Sequence, residues 1–114
     1  MALESFWTEY DPLNDCTVTE SAGVLSIAVP SGATHDLWST NNNGPRIHQP
    51  ANNVDFTIET KMVANPSATS SRGGGLIVQT DNDNWLRFTV HHDGTNFKIF
   101  AGYLTAGAAT TVFN

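Results

Sequence analysis

Apolar residues along this chain alternate with polar ones, and no useful stretch carries them at the spacing of a helix face. Val24-Leu25-Ser26-Ile27-Ala28-Val29 sets Leu25, Ile27 and Val29 on one side of an extended backbone. Val54, Phe56, Ile58, Thr60 and Met62 share a side, opposite Asp55, Thr57, Glu59 and Lys61. Leu86, Phe88 and Val90 then oppose Trp85, Arg87, Thr89 and His91, and Phe97 and Ile99 continue the pattern. A period of two is the mark of a half-buried strand, because successive side chains point to opposite sides of the sheet.

Turn-forming clusters punctuate these runs: Ser21-Ala22-Gly23, Pro30-Ser31-Gly32, Asp81-Asn82-Asp83-Asn84 and His92-Asp93-Gly94-Thr95-Asn96. Asn, Asp and Gly tolerate the backbone that tight turns need. Longer polar loops are expected at 41–45 and 65–73. The reading is about seven strands, near 15–21, 23–30, 45–50, 53–64, 73–80, 84–92 and 96–104. Many short strands with regular turns predict an all-β, antiparallel sandwich or barrel. No internal repeat or linker divides the 114 residues, so one domain over 1–114 is expected. At its end, 110–113 is either a last short strand or the place where a longer domain has been cut.

The formal charge is −6, and the five basic residues, Arg46, Lys61, Arg72, Arg87 and Lys98, are scattered. Nucleic acid and anionic membranes both require clustered Lys and Arg, so neither is an expected partner. No run approaches the length of a transmembrane helix. Met1-Ala2-Leu3-Glu4-Ser5 lacks the basic start and apolar run of a signal peptide. The expectation is an intracellular chain or one with its leader trimmed, extracellular if it is a fragment of a larger bacterial protein. The single cysteine, Cys16, excludes an internal disulfide. Its neighbours Asp15 and Thr17 supply no positive charge to stabilise a thiolate, so Cys16 reads as dispensable.

Candidate chemistry is sparse. His91 and His92 are adjacent, and on a strand they face opposite ways, so they cannot share one metal. A zinc site from His35, His48 and one of that pair lacks supporting spacing. Asp81-Asn82-Asp83-Asn84 begins like a calcium loop, but Trp85 and Leu86 break the pattern, and a turn is expected. Gly73-Gly74-Gly75 lacks the Lys-Ser or Lys-Thr of a phosphate loop and suggests a bulge or a close approach of two backbones. Glu59 and Asp55 share a strand face, but one pair at that spacing is weak support for acid–base hydrolysis, and no catalytic residue, metal or cofactor is expected. The feature that stands out is a polar sheet face, with Glu59, Lys61, Gln79, Trp85, Arg87 and His91 directed away from the apolar side. An aromatic ring flanked by planar polar groups suits a sugar, whereas the plain alternative is a set of cross-strand pairs such as Glu59 with Arg87.

Four stretches carry a resemblance: Ser31-Gly32-Ala33-Thr34-His35-Asp36-Leu37-Trp38, Asn43-Gly44-Pro45-Arg46-Ile47-His48-Gln49-Pro50, Val54-Asp55-Phe56-Thr57-Ile58-Glu59-Thr60-Lys61, and the run from Gly75 to Phe88 through Asn84-Trp85-Leu86-Arg87. In this order they resemble concanavalin A-like, laminin-G-like sandwich modules of the DUF1349 type, found in bacterial multidomain proteins and often appended to glycoside hydrolases. The resemblance implies a two-sheet jelly roll and carbohydrate binding. It marks His35, Asp36, Trp38, Arg46, Gln49, Glu59, Gln79 and Arg87 as typical positions. Such modules usually continue for further strands, so the chain is expected to be a shortened sandwich. The Glu-x-Asp-x-x-Glu strand of related glycosidases is absent.

The expected function is therefore non-catalytic binding of a glycan or polysaccharide through Trp85, Arg87, Glu59, Gln79, His91, Trp38, Arg46 and His48. The alternatives are a structural or assembly domain that completes its sandwich by homo-oligomerisation through open strand edges, and a small glycoside hydrolase using Glu59.

Overall fold

A computed structural model describes residues 3–63 and 72–114. Among them there is no helix, and the ten strands pair only antiparallel. The chain divides into two compact units, Met1–Asp55 and Phe56–Asn114.

The first unit holds three two-stranded ribbons: β1 (Thr8–Tyr10) with β6 (Arg46–His48), β2 (Thr17–Ser21) with β3 (Val24–Ala28), and β4 (Leu37–Trp38) with β5 (Asn41–Asn42). The β2–β3 connection is a two-residue turn in which Ala22 (φ 52°) and Gly23 (φ 74°) both take the left-handed backbone. That geometry matches the twist of the strands it joins. Earlier in this unit Asp11 starts a turn through Pro12 and Leu13, closed by the Asn14 N–H on the Asp11 carbonyl at 3.1 Å. Asn14 is left-handed, φ 53°, and chain direction reverses just before Asp15 and Cys16.

The second unit is a four-stranded meander in the order β10 (Ala108–Phe113), β9 (Phe97–Thr105), β8 (Asn84–His92), β7 (Arg72–Asp81). The run that imitates a calcium loop is the expected turn. One Asp81 carboxylate oxygen accepts the Asp83 N–H at 2.8 Å and the Asn84 side-chain amide at 2.9 Å. In the β8–β9 hairpin Asp93 has the same duty. Its Oδ1 accepts the N–H groups of Asn96 (2.7 Å) and Thr95 (2.8 Å), and its Oδ2 meets Lys98 at 3.2 Å. These donors hold the Asp93 carboxyl far below the usual carboxylate range. The β9–β10 turn sets Ala106 and Gly107 at φ 48° and 77°, and Gly107 N–H reaches the Asp83 carbonyl at 3.0 Å. Residues 108–113 thus form a strand, the first of the two alternatives the sequence left open.

Three short elements, β1, β4 and β5, escaped the sequence reading, and one expected strand is absent. Over the described part of 53–64, residues 53–63, no ladder forms and every residue is exposed. Alternation prepares a segment for a sheet, but a strand exists only where a neighbour takes its hydrogen bonds. Residue 64 and most of the expected loop at 65–73 lie outside the described residues, while Arg72 and Gly73 already belong to β7.

The register also corrects which face of the sheet is buried. Trp85 lies opposite Gln79 and Leu104, Arg87 opposite Ile77 and Gly102, Thr89 opposite Gly75 and Phe100, and His91 opposite Gly73 and Lys98. Opposed residues share a face. This is the face expected to be polar and open, yet Trp85 is 4% exposed, Leu104 2%, and Phe100 is buried. On the other face, expected to be the core, Phe88 is 48% and Ile99 62% exposed, and Val78, Phe97 and Tyr103 are exposed too. The physical reason lies in β9. Phe100 and Leu104 add an aromatic ring and a large aliphatic side chain to the Trp85 face, so both faces of this sheet are apolar enough to bury.

Candidate functional site

The expected glycan face does assemble four of its residues. Trp85, Arg87, Gln79 and His91 share one side of the second unit's sheet. Their environment is not that of an open platform. The Arg87 guanidinium carbon sits 5.6 Å from the Trp85 ring centre and 4.9 Å from that of Phe100. The His91 ring meets Phe100 edge-on at 6.1 Å. Cation and ring contacts of this kind hold a layer of side chains together. The Gln79 amide donates to the Asp81 carbonyl at 2.9 Å and to the Asn82 side chain at 3.3 Å, tying the end of the β7–β8 hairpin. Glu59 is exposed and belongs to the stretch that forms no ladder, so it is not a cross-strand neighbour of Arg87.

In the first unit, Arg46 is buried and works as a strap. Its Nη1 donates to the Gly44 carbonyl at 2.8 Å and its Nη2 to Asn42 Oδ1 at 3.0 Å, while the guanidinium lies 4.0 Å over the Tyr10 ring. His48 stacks on the same Tyr10, with ring centres 6.2 Å apart. Burial first, then the Arg46 charge, lowers its pKa. Its Nε2 is buried without a hydrogen-bond partner. Trp38 is half-exposed on β4, paired with Asn41 of β5.

The second unit carries the more open feature. On the exposed sheet face a shallow depression of about 260 Å³ is lined by Met62, Leu76, Phe88, Val90 and Ile99, with Thr60 at its side. No acidic or basic side chain lines it.

Sequence reasoning missed one cluster. Among the described residues, one group of metal-ligating side chains converges: Asp15, Cys16 and His35, with one donor atom from each within 4.8 Å of the others. His35 Nε2 is 2.9 Å from Asp15 Oδ1, and the Cys16 thiol donates to that same oxygen at 3.5 Å. The Cys16 N–H donates to Asp11 Oδ2 at 2.8 Å. Burial, and then the carboxylates of Asp15 and Asp11, push the thiol up to about 11. A thiol in that state is a poor nucleophile at neutral pH. The zinc set weighed from sequence, His35 with His48 and one of the His91–His92 pair, is not the one that converges. As expected, His91 and His92 take opposite faces; His92 packs edge-on to Phe97 and accepts the Gly94 N–H on Nδ1 at 3.0 Å.

Comparison with protein-family models, with curated proteins and with solved structures gives no match for this chain.

Proposed function

We propose that this domain is a non-catalytic binding module that works by assembly. The open apolar face of its four-stranded sheet packs on the same face of a second copy, and the two sheets together make a sandwich. The carrying observation is that face itself, on which Phe88 and Ile99 stand about half-exposed or more around an apolar depression. Contiguous apolar surface of this kind marks an interaction site on a water-soluble domain.

The choice of a second copy follows from charge and symmetry. The middle of the face is contributed by Leu76 and Val78 of β7, Leu86, Phe88 and Val90 of β8, and Ile99 and Tyr103 of β9, none of them charged, while at one end the register sets Arg72 opposite His92 and His92 opposite Phe97. Apposing two copies through that uncharged middle avoids setting like charges against one another, although the chain carries a net −6. A two-fold axis pairs such a face with itself, and sheets stack face to face about 10 Å apart. The outer strand β10, Ala-Ala-Thr-Thr-Val-Phe, has neither charge nor proline to discourage pairing, so strand-edge contact between copies is a second route to the same assembly.

Sedimentation at micromolar concentration is expected to find dimers of the parent chain and monomers of Ile99→Asp. The substituted side chain points into solvent in the single copy, so folding is retained and circular dichroism should match the parent. A parent that sediments as a clean monomer ends this reading.

A glycan-binding role remains as a second reading, favoured by Trp38, whose half-exposed ring stands beside Asn41 and Asn42 on a short ribbon. Ring stacking with amide hydrogen bonds fits a sugar. In affinity gels with plant and bacterial polysaccharides, a retarded parent and an unretarded Trp38→Ala are expected. Equal migration of the two in every gel removes this reading and leaves assembly standing.

A further inference from the structure

We propose that Asp15, Cys16 and His35 form a zinc site in the first unit, with Asp11 as the supporting carboxylate behind it. In a strand, adjacent residues would point to opposite sides. Asp15 and Cys16 instead follow left-handed Asn14 and precede β2, outside any ladder, and their donor atoms converge. His35 comes from the connection after β3 and meets them with its ring, whose side chain is 6% exposed against 33% for Asp15.

Two of the three separations lie near those around a tetrahedral ion, and all three donor atoms fall within 4.8 Å of one another. Ligand atoms about 2.0–2.3 Å from zinc stand roughly 3.3–3.6 Å from one another. The Cys16–Asp15 separation of 3.5 Å is already in that range, and the His35–Asp15 separation of 2.9 Å needs to open by only a few tenths of an ångström. One thiolate, one imidazole and one carboxylate are a donor set for zinc; calcium and magnesium take oxygen alone. Deprotonated Cys16 and Asp15 balance the ion's two charges.

Asp11 supplies an independent observation. Its Oδ2 is fixed by the Cys16 N–H at 2.8 Å, while its Oδ1 is buried and has no hydrogen-bond partner. A buried carboxylate oxygen without a donor is costly unless a cation or water satisfies it. It belongs to the carboxylate that holds the backbone of Cys16, one of the three converging residues. Three protein donors leave a fourth tetrahedral position for water. Once bound, the ion ties the turn before β2 to the connection after β3.

Cobalt(II) is the probe. The chain has one cysteine, so a thiolate-to-cobalt charge-transfer absorption in the parent protein identifies Cys16 as a ligand without any variant. Titration is expected to saturate at one ion per chain and to be displaced by zinc. Zinc affinity measured by competition with a chromophoric chelator is expected to fall by about tenfold or more in Cys16→Ser and His35→Gln, and to be unchanged in Lys98→Gln. Absence of the charge-transfer band, or equal zinc affinity in parent and both variants, overturns the proposal.

Discussion

Trp85→Ala is expected to cost about 3–5 kcal/mol of stability, the loss typical of truncating a large buried aromatic side chain. Trp85 is 4% exposed, faces Leu104 across the ladder and lies beside the Arg87 guanidinium. Removing the indole opens a cavity and strips Arg87 of a ring contact. Against the 5–15 kcal/mol that holds a typical domain together, this is a large fraction. Thermal unfolding should show a fall in Tm of roughly 10 °C or more. Trp85→Phe keeps part of the ring surface and should lose clearly less. The opposite pattern separates a ligand platform from a core residue: a Trp85→Ala as stable as the parent that has lost affinity for a polysaccharide would make the indole a sugar-stacking surface.

Whether Trp85 is core or platform was not legible from β8 alone. Along that strand Trp85, Arg87, Thr89 and His91 read as a polar series, and Leu86, Phe88 and Val90 as the core series. The answer lay in the neighbouring strand. Register sets Phe100 opposite Thr89 and Leu104 opposite Trp85, and those two side chains give the polar-looking face its apolar body. Period-two reasoning assigns residues to a face; it does not say which face is covered when both carry large apolar groups. The cluster at Cys16 was hidden for a related reason. The strand expected near 15–21 implies extended backbone at Asp15 and Cys16, on which neighbours face apart. The turn from Asp11 through left-handed Asn14 makes them converge, and His35 arrives from 20 residues away. The signal available in the sequence was Asp-Pro at 11–12, a turn start in which the Asp side chain can hydrogen-bond the following backbone.

Local chemistry was more readable. β8 spans the residues expected of it, because its alternation is flanked by two Asn/Asp hairpins whose side chains hydrogen-bond the turn backbone. The stretch at 53–63 has an equally regular alternation and forms no ladder. The difference is in what flanks it. β8 is bounded on both sides by short turns that deliver neighbouring strands, whereas among the described residues no strand pairs with 53–63. A meander of adjacent strands can be inferred from turns; the pairing of a strand with a distant partner cannot.

The three glycines at 73–75 face very different surroundings. A Cβ built on Gly75 collides with the Phe88 carbonyl oxygen and comes within 2.6 Å of Thr89 Cα. On Gly73 it collides with the Val90 carbonyl oxygen and comes within 2.7 Å of His91 Cα. These obstacles are backbone atoms of the paired strand and cannot swing aside. On Gly74, between them, a Cβ meets only the Met62 terminal methyl at 3.7 Å, an ordinary contact. None of the three has a positive φ, so conformational freedom is not what glycine supplies here. It supplies the close approach of β7 to β8. Gly75→Ala is therefore expected to force the two strands apart and cost about 1–3 kcal/mol, the usual penalty of overpacking. Gly74→Ala should be neutral, or stabilising by about 0.4–1 kcal/mol through the unfolded chain's lost freedom. Urea unfolding of the two variants side by side measures the difference. Equal midpoints would mean that β7 pairs with β8 at ordinary spacing and that the glycines serve something other than the ladder.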